Sequence, residues 1–320
     1  MDLVQYLWLF IYLFALAALL TYGMNCWFLM LMYRLNSPKA ARKHQRINQA
    51  FYRHIPPKRW PHVTIQLPIY NERYVVERLI ESVCSIDWPG HLLEVQVLDD
   101  STDDTANIAR AMVAKMKAAG VDIVYIHRSD RKGFKAGALR DGLRIAKGSL
   151  VAVFDADFIP GVKFLKETVP YFSDPRIGML QTRWGHINSD YSLLTRAQSI
   201  GIDGHFGVEQ ASRAWGGLFM NFNGTGGIWR KKTIQEAGGW QADTLTEDLD
   251  LSYRAQLKGW KLMFATQVVC PAEIPVTINA FKSQQHRWAK GSIQTAKKNL
   301  GKLFRADISW LVKIQAFLHL

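Results

Sequence analysis

The chain has 320 residues, with 48% hydrophobic and 21% charged residues, which supports a full core and excludes a disordered polypeptide. Lys and Arg total 40 against 27 acidic residues, a formal net charge of +13 that calls for an anionic partner such as a nucleic acid, a membrane surface or a phosphorylated substrate. Three cysteines, at positions 26, 84 and 270, form no C-x-x-C and exclude a disulfide scaffold and a cysteine zinc site.

No charged residue occurs from Leu3 to Tyr33. A helix of that length exceeds the roughly 30 Å hydrocarbon core, and Tyr6, Trp8, Trp27 and Tyr33 lie near its ends, where aromatic residues favour the interface. A cleaved signal is the rival reading. It needs a basic start and a shorter apolar core, whereas Asp2 opens this chain, so residues 1–34 are read as a transmembrane helix. Arg34, Lys39, Arg42, Lys43, Arg46, Arg53, Lys58 and Arg59 follow with no acidic residue before His62. Such a run reads as a basic linker over 35–62, placing the remainder in the cytoplasm by the positive-inside rule. It also attracts anionic lipid head groups, and it explains part of the charge without a nucleic acid, for which no basic, aromatic-interleaved stripe is evident.

Val63–Leu67 reads as a strand ending at Pro68, Arg73–Ile86 as a helix, Leu93–Leu98 as a strand and Thr105–Ala118 as a helix. Asp122–Ile126 follows as a strand, Ala136–Ala146 as a helix and Leu150–Phe154 as an apolar strand. This alternation predicts an α/β domain over 63–300 with a mostly parallel sheet, whose ligands bind beyond the carboxyl ends of the strands. Farther on, Arg176–Trp184 reads as a strand and Leu193–Ala214 as a helix interrupted by Gly201, Gly204 and Gly207. Phe219–Trp229 reads as a loop, Leu249–Leu257 as a helix and Ala280–Lys298 as a basic amphipathic helix. The apolar stretch Ile308–Leu320 is expected to open a further membrane-associated segment from about residue 301.

Polar groups follow three of the strands: Tyr70-Asn71-Glu72, Asp99-Asp100-Ser101 and Asp155-Ala156-Asp157. Neither G-x-G-x-x-G nor G-x-x-x-x-G-K-[ST] occurs, which argues against a dinucleotide-dependent dehydrogenase and a P-loop ATPase. Asp155 and Asp157 suit a hard divalent cation, or they form an acidic cap on a following helix. Thr246-Glu247-Asp248 offers a general base, or an N-cap with acids on the helix dipole. Gln284-x-x-Arg287-Trp288 offers an arginine for phosphate and an indole for a sugar face, or a plain helix surface.

In order these motifs read D, D-x-D, T-E-D, Q-x-x-R-W, and the chain resembles the processive family 2 glycosyltransferases, which include cellulose, chitin and hyaluronan synthases. It is most similar to plant cellulose-synthase-like proteins of the A and C groups, through Gln96–Asp103, Lys135–Leu139, Phe154–Phe158, Phe222–Gly227 and Gln284–Trp288. The resemblance implies a GT-A fold and an inverting, metal-dependent transfer of a hexose from a nucleotide-sugar donor, UDP-glucose or GDP-mannose, to a β-linked polysaccharide acceptor. It implies that Asp99, with Tyr70, Asn71 and Glu72, meets the donor nucleotide and that Lys135 and Arg287 meet the diphosphate. Asp155 and Asp157 would hold Mg2+ or Mn2+, Asp248 would act as the base, and Phe222, Asn223, Gln284 and Trp288 would face the acceptor. The loop at Phe222–Thr225 departs from cellulose synthases proper. A lipid glycosyltransferase resembling ceramide glucosyltransferase, a non-catalytic membrane scaffold and a nucleic-acid-binding module are the alternative readings.

Overall fold

The computed structural model of the protein describes residues 2–320. It begins with α1 (Leu3–His54), one unbroken helix. Asp2 caps it by accepting from the Gln5 N–H at 2.9 Å while the Gln5 side chain accepts from the Asp2 N–H at 3.1 Å. The helix is long and apolar enough to cross a membrane, and the side chains of its first 20 residues are exposed. The basic stretch expected as a linker is helical as far as His54, with Pro38 inside it. Tertiary contacts explain this, because proline weakens a helix but packing can hold it. His44 Nδ1 lies 2.8 Å from Tyr171 Oη, Tyr52 Oη donates to the Lys166 carbonyl at 2.7 Å, and Phe51 is buried against Trp60.

The segment from Val63 to Val153 is the expected succession of strands and helices. β1 (Val63–Ile69), α2 (Val76–Cys84), β2 (Leu93–Asp99), α3 (Thr105–Ala118), β3 (Ile123–His127), α4 (Phe134–Ile145) and β4 (Leu150–Val153) occur in that order. Then come α5 (Phe164–Thr168), β5 (Ile177–His186), α6 (Leu193–Gly204), α7 (Ala211–Trp215), β6 (Gly227–Arg230) and α8 (Lys231–Glu236). α9 (Glu247–Leu257), β7 (Lys261–Ala272), α10 (Ile278–Arg305) and α11 (Trp310–His319) close the chain. The strands form one seven-stranded sheet in the order β3-β2-β1-β4-β6-β5-β7. Only β6 runs against its neighbours, so the sheet is mostly parallel, and its central strands β1, β2 and β4 are buried on both faces. Pro68 stays in β1 because it lies past the last β1–β4 pair, Gln66 with Val153, where its missing N–H breaks no bond on that side.

The structure adds to the sequence reading in the second half. β6 occupies the end of the segment read as a loop, and β7 lies where the sequence reading has no strand. β7 escapes a period-2 reading because its register to β5 jumps from Thr182–Ala265 to Arg183–Val269, and a bulge resets the alternation of faces. α6 and α7 form one rod joined by a π-helical stretch, His205–Gln210, and glycines 201, 204 and 207 do not interrupt it. α11 packs one face on α9, where Tyr253 Oη donates to the Ala316 carbonyl at 2.9 Å, and exposes Trp310, Leu311, Ile314 and Phe317 on the other.

α4 lies close on the sheet because Gly142 has no side chain. A Cβ there would sit 2.6 Å from Gln66 Nε2 and 2.8 Å from Gln96 Oε1, a buried pair bonded at 3.0 Å across β1 and β2. Gly142→Ala is expected to push α4 outward and lower stability by about 1–3 kcal/mol, a shift in midpoint that a denaturant melt will detect.

Candidate active site

The carboxyl ends of β1, β2, β4, β5 and β7 share one edge with the start of β6. There the loops enclose a cleft of ≈ 970 Å³, lined among others by Tyr70, Lys135, Asp155, Asp157, Asp248 and Trp288. This is the edge at which open α/β sheets bind ligands.

At the β1–β2 end, Tyr70 and Glu72 line the cleft and Asn71 does not. Asn71 has a left-handed backbone (φ 55°) and clasps two loops: its N–H donates to Ser101 Oγ at 2.9 Å, and its Oδ1 accepts from the Thr102 N–H at 2.9 Å. Asp99, expected at the nucleotide, is fully buried beneath the cleft. Its carboxylate accepts from Tyr125 Oη at 2.5 Å and from the Ser101 N–H at 2.8 Å, and His127 Nδ1 lies 3.3 Å away. Asp100 faces the cleft instead and binds Arg128 through both oxygens, at 2.8 and 2.6 Å. Arg131 lines this end as well, its guanidinium 3.2 Å from the centre of the Tyr70 ring. Nothing in the sequence pattern marks Arg131, because its place depends on the left-handed turn (Arg131 φ 45°, Phe134 φ 48°) that folds the loop back over Tyr70.

The centre of the cleft is acidic. Asp155 receives Lys135 Nζ at 2.5 Å, and the same ammonium donates to the Gly224 carbonyl at 3.0 Å. Thr225 Oγ1 accepts the Asp155 N–H at 2.8 Å, tying the β4 end to the turn before β6. Burial, then the charges of Asp155 and Glu72, push the Asp157 carboxyl up to about 7. Burial and then Glu247 raise Asp248 to about 7, with Lys135 pulling the other way. Glu72 is raised by burial and by Asp155, and Glu247 chiefly by burial. Burial works against the charge of Lys135, but Asp155, Glu247 and Asp248 outweigh it and hold the ammonium above its ordinary pKa. Glu247 thus belongs to the cluster, although the sequence reading singled out only Asp248 from its motif.

Asp248 sits in the first turn of α9 and accepts the Leu249 N–H at 2.8 Å. Thr246 precedes the helix but does not cap it. Its hydroxyl lies 3.2 Å from Thr295 Oγ1 on α10, and its methyl fills the space a side chain at Gly291 would need. This contact docks α10 on α9, so that Gln284, Arg287 and Trp288 all line the cleft, with Arg287 facing the charge of Glu247.

Of the two residues expected at the acceptor from the Phe222–Gly227 stretch, Asn223 lines the cleft and Phe222 does not. Phe222 is completely buried, its ring 5.7 Å from that of Trp229, because Gly227 leaves room for it behind the sheet. Asn223 is held by Gln210 Nε2 at 2.6 Å and by His205 Nε2 at 3.0 Å, both from the π-helical stretch. Trp184 lines the same side and packs, tilted, against Phe206 at 4.7 Å.

Among the described residues no group of three or more His, Cys, Asp or Glu is arranged to hold a metal by itself. Asp155 and Asp157 nonetheless fit Mg2+ or Mn2+, which takes a few carboxylates and completes its shell with phosphate oxygens and water. Burial, and after it the charge of Asp155, disfavour the Asp157 carboxylate, and a cation beside the pair would favour it.

The strand order and the acidic edge define a GT-A fold. The protein superposes with a TM-score of 0.66 on a mannosyltransferase from Pyrobaculum calidifontis solved with GDP-Man and Mn2+, at 21% identity, covering 91% of this chain and 79% of that one. It superposes at 0.58 on residues 1–349 of S. aureus TarS in complex with UDP-GlcNAc, at 16% identity, covering 80% and 70%. Residues 61–291 match the family described as Glycosyltransferase like family 2, and the chain belongs to that family. It is 43% identical over 251 residues to glucomannan 4-beta-mannosyltransferase 1 of Oryza sativa subsp. japonica, covering 77% of this chain and 48% of the relative. It is 42% identical over 244 residues to glucomannan 4-beta-mannosyltransferase 9 of Arabidopsis thaliana, covering 75% and 46%. The chain therefore spans about half the length of these curated relatives.

Gly224 has a left-handed backbone (φ 84°), and a Cβ on it would lie 3.0 Å from Asp248 Oδ2 and 3.3 Å from Lys135 Nζ. Gly224→Ala is expected to cost about 1–2 kcal/mol of stability and, by displacing these groups, about a hundredfold in glycosyl transfer. A thermal melt run beside a transfer assay separates the two effects.

Proposed function

We propose that the chain is the catalytic part of a membrane-anchored β-glycan synthase. It moves a hexose from a nucleotide-sugar donor to a growing, β-1,4-linked polysaccharide acceptor. The observation that carries this reading is the convergence of Asp155, Asp157, Lys135, Asp248, Arg287 and Trp288, from α4, α9, α10 and the loop after β4, on one cleft. Mannosyltransferases among the relatives favour a mannose over a glucose donor.

In this reading the nucleotide lies against Tyr70 and Arg131, with Glu72 nearby. Asp99 and Asn71 act by holding that edge in shape. The diphosphate faces Asp155 and Asp157, with Lys135 and Arg287 adding positive charge. A bound Mg2+ or Mn2+ supplies neutralisation of the leaving diphosphate. Asp248 takes the proton from the acceptor hydroxyl as its oxygen bonds to the anomeric carbon and the bond from that carbon to phosphate breaks. One displacement inverts an α-linked donor to a β product, and it requires one base and no enzymic nucleophile. Gln284 and Trp288 hold the acceptor, with Asn223 across the cleft, and Phe222 supports that loop from behind. The apolar span of α1 and the basic residues after it support an anchor with the catalytic domain on the cytoplasmic side.

Donor screening with membranes carrying the full-length protein, followed by linkage analysis, tests the proposal. A β-linked polymer ladder supports it, and a single glycolipid product would move it to the ceramide glucosyltransferase type. Asp157→Asn is expected to abolish divalent-metal-stimulated turnover, and near-normal activity with an unchanged metal requirement would remove Asp157 from the site. Asp248→Asn should lose on the order of 10²–10⁴ in rate while donor binding, read by calorimetry, survives. The base works only when ionised, so wild-type kcat/KM should climb as pH rises through about 7, and a flat profile across that range would count against Asp248.

A further inference from the structure

Behind the acceptor side of the cleft runs a chain of polar side chains that the transfer step itself does not use. Arg213, fully buried, gives its Nε–H to Glu209 Oε1 at 3.0 Å and an Nη1–H to the Gln315 carbonyl at 3.2 Å. The other Glu209 oxygen lies 3.0 Å from His205 Nδ1, and His205 Nε2 lies 3.0 Å from Asn223 Nδ2. Gln210 Nε2 meets the Asn221 carbonyl at 2.8 Å and Asn223 Oδ1 at 2.6 Å. The π-helical stretch makes this possible. Its turn closes at the fifth residue, which brings His205 and Gln210 to one side, whereas at 3.6 residues per turn they would point about 140° apart.

Each group in the chain fixes the next. A backbone carbonyl only accepts, so Gln210 presents its amide nitrogen to Asn221 and hence to Asn223. Asn223 therefore turns its oxygen toward Gln210 and its nitrogen toward His205. To accept there, His205 Nε2 carries no proton, and the Nδ1–H goes to Glu209, whose carboxylate Arg213 holds in place. A carboxamide has two N–H bonds. His205 takes one, and among the described residues no protein group accepts the other. Asn223 lines the cleft, while His205, Glu209, Gln210 and Arg213 do not.

We propose that His205 and Glu209 are positioning residues that lock Asn223 so that its second N–H donates to a hydroxyl oxygen of the acceptor sugar. The inference rests on the reading of the cleft as a glycan synthase site and adds two residues that lie outside the motif pattern.

The pair His205→Gln and His205→Leu tests it, beside Asn223→Ala, in membranes carrying the full-length protein with GDP-mannose and β-1,4-mannohexaose. Glutamine offers an oxygen to Asn223 and an N–H to Glu209, and leucine offers neither. Acceptor kcat/KM should fall about five- to tenfold in His205→Leu and in Asn223→Ala, recover in His205→Gln, and fall no further when His205→Leu is combined with Asn223→Ala. The KM for GDP-mannose should hold throughout. Equal rates in the glutamine and leucine variants, or losses that multiply in the double variant, would overturn the positioning role. A loss confined to the KM for GDP-mannose would overturn the acceptor as the partner of Asn223. Where a His205 variant does not fold, Asn223→Ala decides alone, since full acceptor kcat/KM in it removes the hydrogen bond. Absence of transfer by the wild type from either GDP-mannose or UDP-glucose would instead remove the function itself, a result distinct from normal transfer with unaltered variants.

Discussion

Carboxylates do not crowd into a recess without compensation. Glu72, Asp155, Asp157, Glu247 and Asp248 line one cleft, with the Lys135 ammonium in contact with Asp155 among them. Burial and mutual repulsion raise four of the five above their ordinary values. Such an arrangement costs folding free energy, and sites that bear that cost are commonly functional. The cost is offset when positive charge enters, and a divalent cation carried with a diphosphate matches the need. The same field keeps Lys135 charged despite its recessed position.

The remainder of the fold serves to hold these groups together. Gly142 lets α4 approach the sheet and so sets where Lys135 begins its reach. Thr246, freed from capping, packs against Gly291 and Thr295 and brings α10 with Arg287 and Trp288 over α9. The π-helical stretch turns His205 and Gln210 toward Asn223, an irregularity of the kind often retained at working sites. α1 joins this assembly rigidly through Tyr171 and Lys166, so an anchor in the membrane would fix the height of the cleft above it.

Much of this is legible in the sequence where the physics is local. Alternating apolar strands and amphipathic helices up to β4 read directly, and the acidic residues after β4 fall where strand ends demand. The continuation of α1 through Pro38 does not read, because packing on Tyr171 and Trp60 rather than propensity keeps it helical. β7 is hidden by a bulge that breaks its alternation. Asp155, Asp157, Asp248 and Trp288, singled out by the motif pattern, line one cleft. It does not distinguish Asp99 from Asp100, or Phe222 from Asn223, since adjacent residues at a strand end or in a turn point to opposite sides. Arg131 carries no signal because its role depends on a left-handed turn.

In the proposed function the acidic cleft takes a nucleoside diphosphate together with a divalent cation. The direct measurement is isothermal titration calorimetry of the full chain with GDP and with UDP, in the presence of Mn2+ and after its removal by chelation. One of the two is expected to bind at least about tenfold more tightly with the metal, since even one charge-assisted contact is worth that much. Equal affinity with and without Mn2+, or no binding of either nucleotide, would contradict it.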